Sequence, residues 1–382
     1  MKILAIETSC DETAISILEA SGDLSAPHFS TLSEVVVSQL DIHAAWGGVV
    51  PTIAKREHQK ALTPVLKTAL ENAGLLKTKT PGVVPSLEAI LTREPELCAE
   101  LGPFLASIEI PDIDAIAVTR GPGLEPALWV GINCAKALAK VWGKPLVAVN
   151  HMEGHIYAGL AENKPVTFPA LALLVSGGHT ELVFIKDWRE YTMLGSTRDD
   201  AVGEAFDKVA RIIGLPYPGG PAISKLAEQE SAFELPLPLP RPMIGSNDYD
   251  FSFSGLKTSV LYLSKKLEEQ NNFTDAAKIT IAREFQNAAV EVLLSKSRKA
   301  LEAQVIKTFI IGGGVSANKQ LRAEAAEMIS NEFPDTVLSI PSAKLSTDNG
   351  TMIAVAGYIT YLKNGASDPA TVLAEGNLSV CK

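Results

Sequence analysis

The chain opens on two short apolar runs, 2–7 and 14–18, separated by the polar stretch 8–13. Two such runs joined by a tight turn predict a β-hairpin, and 35–40 is a further strand. Across 53–73 the apolar positions Leu62, Val65, Leu66, Ala69 and Leu70 fall at helical spacing, and Gly74 supplies the stop. Segment 75–111 begins rich in Pro and Gly and is helix-like over 87–108, which marks it as an insertion rather than a core element. There follow strand 113–119, the turn Arg120-Gly-Pro-Gly123, helix 126–142 with proline in its first turn, and strand 146–150.

The second half repeats that rhythm. Strands 170–175 and 181–185 flank Ser176-Gly-Gly-His-Thr180, and helix 199–213 ends at Gly214. An extended proline-rich stretch, 235–242, precedes helices 255–269 and 276–303. Strand 307–311, a glycine turn at 312–314, helix 316–331, strand 336–340 and helix 349–363 close the pattern. Strands alternating with helices mean α/β. Two halves that each carry a glycine- or hydroxyl-bearing hairpin turn point to two similar lobes with a cleft between them.

Composition narrows the class. At roughly 150 residues per domain, 382 residues correspond to two or three domains. With 46% hydrophobic and 20% charged residues the chain builds a sizeable core, and disorder is excluded. The net charge of −10 makes a poor general nucleic-acid binder. Phosphate contacts are left to local patches such as Lys55, Arg56 and Lys60, or Lys296, Arg298 and Lys299. Cys10, Cys98, Cys134 and Cys381 form no CxxC pair, as expected of a reduced, cytoplasmic protein without disulfides or a thiolate zinc site. The apolar run 3–6 is too short for a signal peptide, and 352–362 falls short of the ~20 residues that span a bilayer. No membrane association is expected.

Three constellations carry candidate chemistry. His151-Met-Glu-Gly-His155 opens a helix directly after a strand, so both imidazoles share one face and can meet one metal. A zinc peptidase needs glutamate beside the first histidine, and Glu153 is one place further on. A carboxylate must complete the set, and Asp348, just ahead of the last helix, offers one. The turn Ser176-Gly-Gly-His-Thr180 can converge backbone N–H groups on an anion, and a side chain at Gly178 would intrude on that approach. Gly312, Gly314 and Ala317 satisfy a dinucleotide pattern, yet the following strand ends Ser339-Ile340-Pro341 without the acid that holds a ribose. A Rossmann fold is therefore disfavoured. A nucleotide packed on the glycine backbone, with Asn318 as a partner, fits better. Glu7-Thr-Ser-Cys-Asp-Glu-Thr13 is a second turn rich in hydroxyls and carboxylates.

Taken in order, Ile6-Glu-Thr-Ser-Cys-Asp-Glu-Thr13, Gly47-Gly-Val-Val-Pro51, Asn150-His-Met-Glu-Gly-His155, Leu174-Val-Ser-Gly-Gly-His-Thr180, Tyr217-Pro-Gly-Gly-Pro221, Phe251-Ser-Phe-Ser-Gly-Leu-Lys257, Gly312-Gly-Gly-Val-Ser-Ala-Asn318 and Thr347-Asp-Asn-Gly350 span almost the whole chain. As a set they resemble the TsaD family of bacterial tRNA N6-adenosine threonylcarbamoyltransferases, relatives of the KEOPS catalytic subunit. The resemblance implies the two-lobed, actin/Hsp70-like ATPase fold with a cleft between lobes. On this chain that means an N-terminal lobe over 1–149 with the 75–111 insertion, a C-terminal lobe over 150–350, and a closing helix in 351–382 that returns to the first lobe. Thr52, Ser224 and Glu125-Pro126 depart from the family pattern.

The activity so implied is transfer of threonylcarbamoyl from threonylcarbamoyl-AMP to N6 of adenosine 37 in tRNAs reading ANN codons. His151, His155 and Asp348 would hold one divalent metal per subunit, iron by expectation, with zinc or magnesium as alternatives. Leu174, Val175, Ser176, Gly177, Gly178, Asp207, Gly220 and Asn318 would hold the adenylate. Two companion proteins of the TsaB and TsaE types would assist on tRNA. Asp11 and Glu12 are candidates for relaying the amine proton, and no general base is assigned. A metal-dependent endopeptidase and an actin-fold small-molecule kinase are the competing readings.

Overall fold

The computed structural model of the chain describes residues 1–381. Its contacts divide it into two compact units, Met1–Pro165 with Asp348–Val380, and Val166–Thr347 with Cys381.

The first unit holds β1 (Lys2–Glu7), β2 (Glu12–Ser21) and β3 (His28–Ser38), then α1 (Leu40–Ala44), α2 (Pro51–Asn72) and α3 (Pro95–Ala106). After these come β4 (Ala115–Gly121), α4 (Glu125–Trp142), β5 (Leu146–Asn150) and α5 (His151–Tyr157). The sheet order is β3-β2-β1-β4-β5, with β1–β2 and β2–β3 antiparallel and β1–β4 and β4–β5 parallel. Ile3, Leu4, Ala5 and Ile6 are all fully buried, as an uninterrupted apolar run in a central strand requires.

The second unit holds β6 (Ala170–Val175), β7 (Thr180–Asp187), β8 (Glu190–Ser196), α6 (Val202–Ile212), α7 (Gly219–Ala227), α8 (Ser254–Glu269) and α9 (Asp275–Ala303). It continues with β9 (Thr308–Gly312), α10 (Lys319–Glu332), β10 (Val337–Ser339) and α11 (Ala343–Ser346). Helix α12 (Gly350–Asn364) then belongs to the first unit, packed on β1, β2 and α5. The second sheet runs β8-β7-β6-β9-β10, again two antiparallel pairings followed by two parallel ones. Two units of one topology make the α/β, actin/Hsp70-like plan that the sequence leads one to expect.

The strand expected at 35–40 is the end of a longer one, β3, with Leu40 already in α1, and three larger differences concern the insertion, β8 and the unit boundaries. Only Pro95–Ala106 of 87–108 is helical, with proline at the start of the helix. Leu87, Leu91, Leu97, Leu101 and Leu105 from the insertion are nonetheless buried in the first unit's core beside α2 and α4. The insertion is thus a core element. Strand β8 gave no sequence signal, because it is a half-exposed edge whose positions do not alternate cleanly. The unit boundaries fall at 165/166 and 347/348 rather than 149/150 and 350/351, because α5 packs against α12. Among the described residues, no helix is long and apolar enough to cross a membrane.

Candidate metal centre and glycine-walled pocket

Asn150 ends β5, and its side-chain oxygen accepts the Met152 N–H at 2.8 Å, capping α5. His151 and His155 then share a helical face, with ring centroids 4.7 Å apart. Asp348 stands just ahead of α12, whose start is fastened twice. The Asn349 side chain accepts from Met352 N at 2.8 Å, and Glu34 of β3 accepts Gly350 N–H at 3.0 Å and Thr351 N–H at 2.6 Å. A Cβ on Gly154 would lie 3.0 Å from Ile353 Cδ1, so glycine lets α5 approach α12 without displacing that side chain. Asp348 Oδ1 consequently lies 3.4 Å from His151 Nε2 and 3.2 Å from His155 Nε2.

Glu7, fully buried at the end of β1, orients the first histidine. Its Oε2 is 3.0 Å from His151 Nδ1 and accepts from Thr119 Oγ1 at 2.6 Å, while Oε1 accepts the Ser9 N–H. Donation from Nδ1 to Glu7 leaves His151 Nε2 facing Asp348. Burial alone would raise the Asp348 carboxyl, but the His151 ring outweighs it and holds that carboxyl far below its ordinary range. Burial lowers His151, and the two carboxylates overcome it. At His155 burial dominates, so that ring stays neutral.

These residues fit a divalent cation. His155 is 1% exposed; its Nε2 meets Asp348 Oδ1 at 3.2 Å, while its Nδ1 has no hydrogen-bond partner among the described residues. A buried imidazole nitrogen without a partner is costly. Two imidazole nitrogens and a carboxylate oxygen lie within 4.8 Å of one another. Separations of 3.2 and 3.4 Å suit atoms that share one ion at about 2.1 Å. Two histidines and a carboxylate form a donor set common to Fe(II) and compatible with Zn(II).

The loop ahead of β2 carries Cys10, Asp11 and Glu12. Glu12 is pushed up to about 9, first by burial and then by Asp348 and Asp11. His58 of α2 holds the loop, donating from Nε2 to Cys10 O at 3.0 Å and accepting at Nδ1 from Thr13 Oγ1 at 2.7 Å. Burial lowers His58 to about 4. The unfolded chain, near 6.5, therefore takes up the proton first. This contribution to stability is complete above pH 6.5 and is lost as pH falls toward 4, approaching about 3 kcal/mol. Denaturant titrations at pH 7 and 4.5 should show a wild-type loss that His58→Gln lacks. Equal losses in both proteins would refute the assignment.

In the second unit a cavity of about 590 Å³ is lined by Gly177, Asp207, Gly220 and Asn318 of the residues expected to hold a nucleotide. Leu174 and Val175 are instead fully buried in β6. Ser176 and Gly178 shape the turn, where Ser176 Oγ accepts the N–H groups of Gly178 at 3.3 Å and His179 at 3.0 Å. Those N–H groups therefore point at a hydroxyl rather than converge on open space. Asn318 is also engaged: its oxygen caps α10 at Leu321 N, 3.0 Å, and its NH2 donates to Ser224 Oγ at 3.0 Å and Gln286 Oε1 at 2.8 Å. Asp207 Oδ1 accepts Gly219 N–H at 2.6 Å, and burial raises its carboxyl. Phe206 and Val315, which sequence reasoning missed, give the cavity apolar walls. The adjacency of Phe206 to Asp207 was the one available signal. Glu7 was likewise missed as a partner of the metal candidates, although it opens the turn 7–13.

The basic patches expected from sequence are partly paired with carboxylates. Arg56 and Lys60 both lie 3.0 Å from Glu57 Oε1, and Arg298 pairs with Glu332 at 2.7 Å. Lys296 is 1% exposed, its Nζ donating to Ser246 Oγ at 2.6 Å.

A family model described as "TsaD: tRNA N6-adenosine threonylcarbamoyltransferase" matches residues 30–90 and 104–355. A tRNA N6-adenosine threonylcarbamoyltransferase of Staphylococcus haemolyticus (strain JCSC1435) is 42% identical over 379 residues, 99% of this chain and 96% of the relative. The protein of that name from Staphylococcus aureus (strain Newman) is 42% identical over 369 residues, 96% and 94% of the two chains. Among solved structures, full-length HypF in its phosphate- and nucleotide-bound form superposes with a TM-score of 0.52 at 13% identity. That match covers 96% of this chain and 47% of HypF, and is a likeness of fold.

Proposed function

Because this chain belongs to the TsaD family, tRNA N6-adenosine threonylcarbamoyltransferase, we propose that it takes threonylcarbamoyl from threonylcarbamoyl-AMP and places it on N6 of adenosine 37 in tRNAs reading ANN codons. It is a transferase acting on tRNA. Beyond the relatedness itself, one observation supports the reading best: a two-histidine, one-carboxylate cluster stands in the first unit and a nucleotide-sized cavity in the second. A peptidase would need a carboxyl beside the first histidine, where Met152 stands. A kinase has no use for the paired histidines.

The N6 amine is a weak nucleophile, since its lone pair is delocalised into the adenine ring. It forms a bond to the carbamoyl carbon, the bond from that carbon to the AMP phosphate oxygen breaks, and N6 gives up a proton. Asp207 offers a carboxylate to the ribose hydroxyls, Phe206 and Val315 pack on the base, and the glycine-lined wall at Gly177, Gly220 and Gly314 admits the phosphate side of the adenylate. His151, His155 and Asp348 would hold a divalent metal, Fe2+ by donor type, with Glu7 fixing the His151 tautomer. When bound, such an ion supplies a Lewis acid and a fixed positive charge for substrate oxygens. Of the two loop carboxyls, Asp11 is the one available for the N6 proton, because Glu12, pushed up to about 9, already holds a proton near neutral pH.

An acidic chain gains from partners on tRNA, and companions of the TsaB and TsaE types fill that role in the cytoplasm. The decisive experiment supplies purified protein, companions, unmodified tRNA, and threonylcarbamoyl-AMP generated from threonine, bicarbonate and ATP. Nucleoside mass spectrometry should find N6-threonylcarbamoyladenosine at position 37. Unmodified tRNA together with cleavage of a peptide substrate would overturn the reading.

A further inference from the structure

We propose that the groove between α4 and the 86–90 segment of the first unit binds the phosphate backbone of the RNA substrate. The inference rests on the tRNA reading above. The groove encloses about 520 Å³ and is lined by Lys136, Lys140 and Lys144, with Asn133, Ile90 and Pro369 among its other walls and no carboxylate. Lys136 and Lys140 lie on α4, and Lys144 follows the left-handed Gly143 cap, where its N–H donates to Ala139 O at 3.1 Å. A spacing of four keeps Lys136 and Lys140 on one side of α4, about 6 Å apart along the axis, and the turn at Gly143 brings Lys144 to the same groove.

Their charges are not compensated locally. Lys136 Nζ donates to Val372 O at 2.7 Å and Lys140 Nζ to Ser86 O at 3.1 Å, both neutral carbonyls. Lys144 Nζ makes no hydrogen bond, and none of the three has a carboxylate within 4 Å, among the described residues. Asp368 acts on Lys136 only from a distance, and Asp112, which Lys144 influences, is bound 2.5 Å from Lys2 Nζ. Arg198, Lys208, Arg241 and Arg298 are each paired with a carboxylate, whereas here three cations line one groove that contains none. A helix dipole accounts for one basic residue in the last turn. It does not account for Lys136, or for Lys144 beyond the cap. In a protein of net charge −10, three unpaired cations converging on one groove select a polyanion.

Position within the unit favours RNA over an acidic peptide. The start of α4 is tied to the metal-candidate loop, with Leu124 N–H on Ser9 O at 2.7 Å and Ser9 Oγ 3.3 Å from His151 Nδ1. The helix is 18 residues long, about 27 Å. Its basic end thus stands about 27 Å along the helix from that loop, a span of several base pairs of an RNA stem. A stem leading to the target base can reach it.

The test is tRNA binding at several salt concentrations by the protein with its companions, using unmodified transcript as the probe. Lys140→Gln/Lys144→Gln should bind roughly tenfold more weakly at 0.1 M salt, with a log–log salt slope shallower by about 1.5. Lys144→Ala, which removes no hydrogen bond, should flatten the slope by about 0.7–0.9. Lys140→Arg/Lys144→Arg should behave as wild type, and AMP affinity should be the same in all four proteins. Unchanged slope and affinity in the glutamine and alanine variants, while wild type still modifies tRNA, would overturn the groove assignment and leave the transferase intact. Polyglutamate binding as tightly as tRNA would also overturn it. Wild type that modifies no tRNA would instead refute the function.

Discussion

His155→Ala protein should bind its divalent metal at least about a hundredfold more weakly than wild type, and threonylcarbamoyladenosine formation should fall with metal occupancy. The substitution takes one of three protein donors, and loss of even an outer partner of a metal ligand commonly costs 10- to 100-fold. Neither remaining donor can compensate. Asp348 Oδ1 already lies between the two imidazoles, 3.4 and 3.2 Å from them, and His151 Nδ1 is committed to Glu7. Stability should change by less than about 2 kcal/mol. The small cavity left behind is offset by removing a buried ring nitrogen, Nδ1, that has no hydrogen-bond partner among the described residues. Elemental analysis after dialysis, metal titration and nucleoside mass spectrometry read these quantities separately. A variant that retains one tightly held metal per chain would remove His155 from the ligand set.

Gly313→Val should destabilise the protein by more than about 3 kcal/mol and weaken AMP binding at least tenfold. Gly313 has φ +91, which valine adopts only under strain, and a Cβ there would stand 2.4 Å from Val175 O. The neighbour is backbone of a central strand and cannot turn aside as a side chain would. Displacing the turn moves Gly314 and Val315, which line the cavity. Gly178→Val provides the contrast. Gly178 has no left-handed φ, and a Cβ there meets nothing within 4 Å, so its stability should stay within about 0.5 kcal/mol of wild type. Loss of nucleotide affinity in that variant would report on ligand approach alone. Denaturant unfolding and AMP calorimetry decide both cases. A Gly313→Val protein as stable as wild type would show that the turn relaxes freely.

Most of the architecture was legible in the chain because helices and buried strands announce themselves through local periodicity. The i, i+4 histidines, the apolar run of β1 and the glycine turn before α10 all lie within a few residues, where geometry follows from spacing. The ordered motifs added the family, since eight short segments in one sequence order are far more specific than any of them alone. What spacing could not decide was every relation between distant residues. Glu7 meets His151 across 144 positions, and the insertion leucines join a core built by α2 and α4. In the sequence patch at Lys55–Lys60, Arg56 and Lys60 share one carboxylate, Glu57. Lys136, Lys140 and Lys144 become a groove only when 89–90 and 369–370 fold against α4. Local conformation is set by backbone and side-chain energetics over a few residues, and the sequence records it directly. Which charges are paired, which polar atoms are buried and which donors converge depend on strand order, register and packing, and these exist only once the chain has closed on itself.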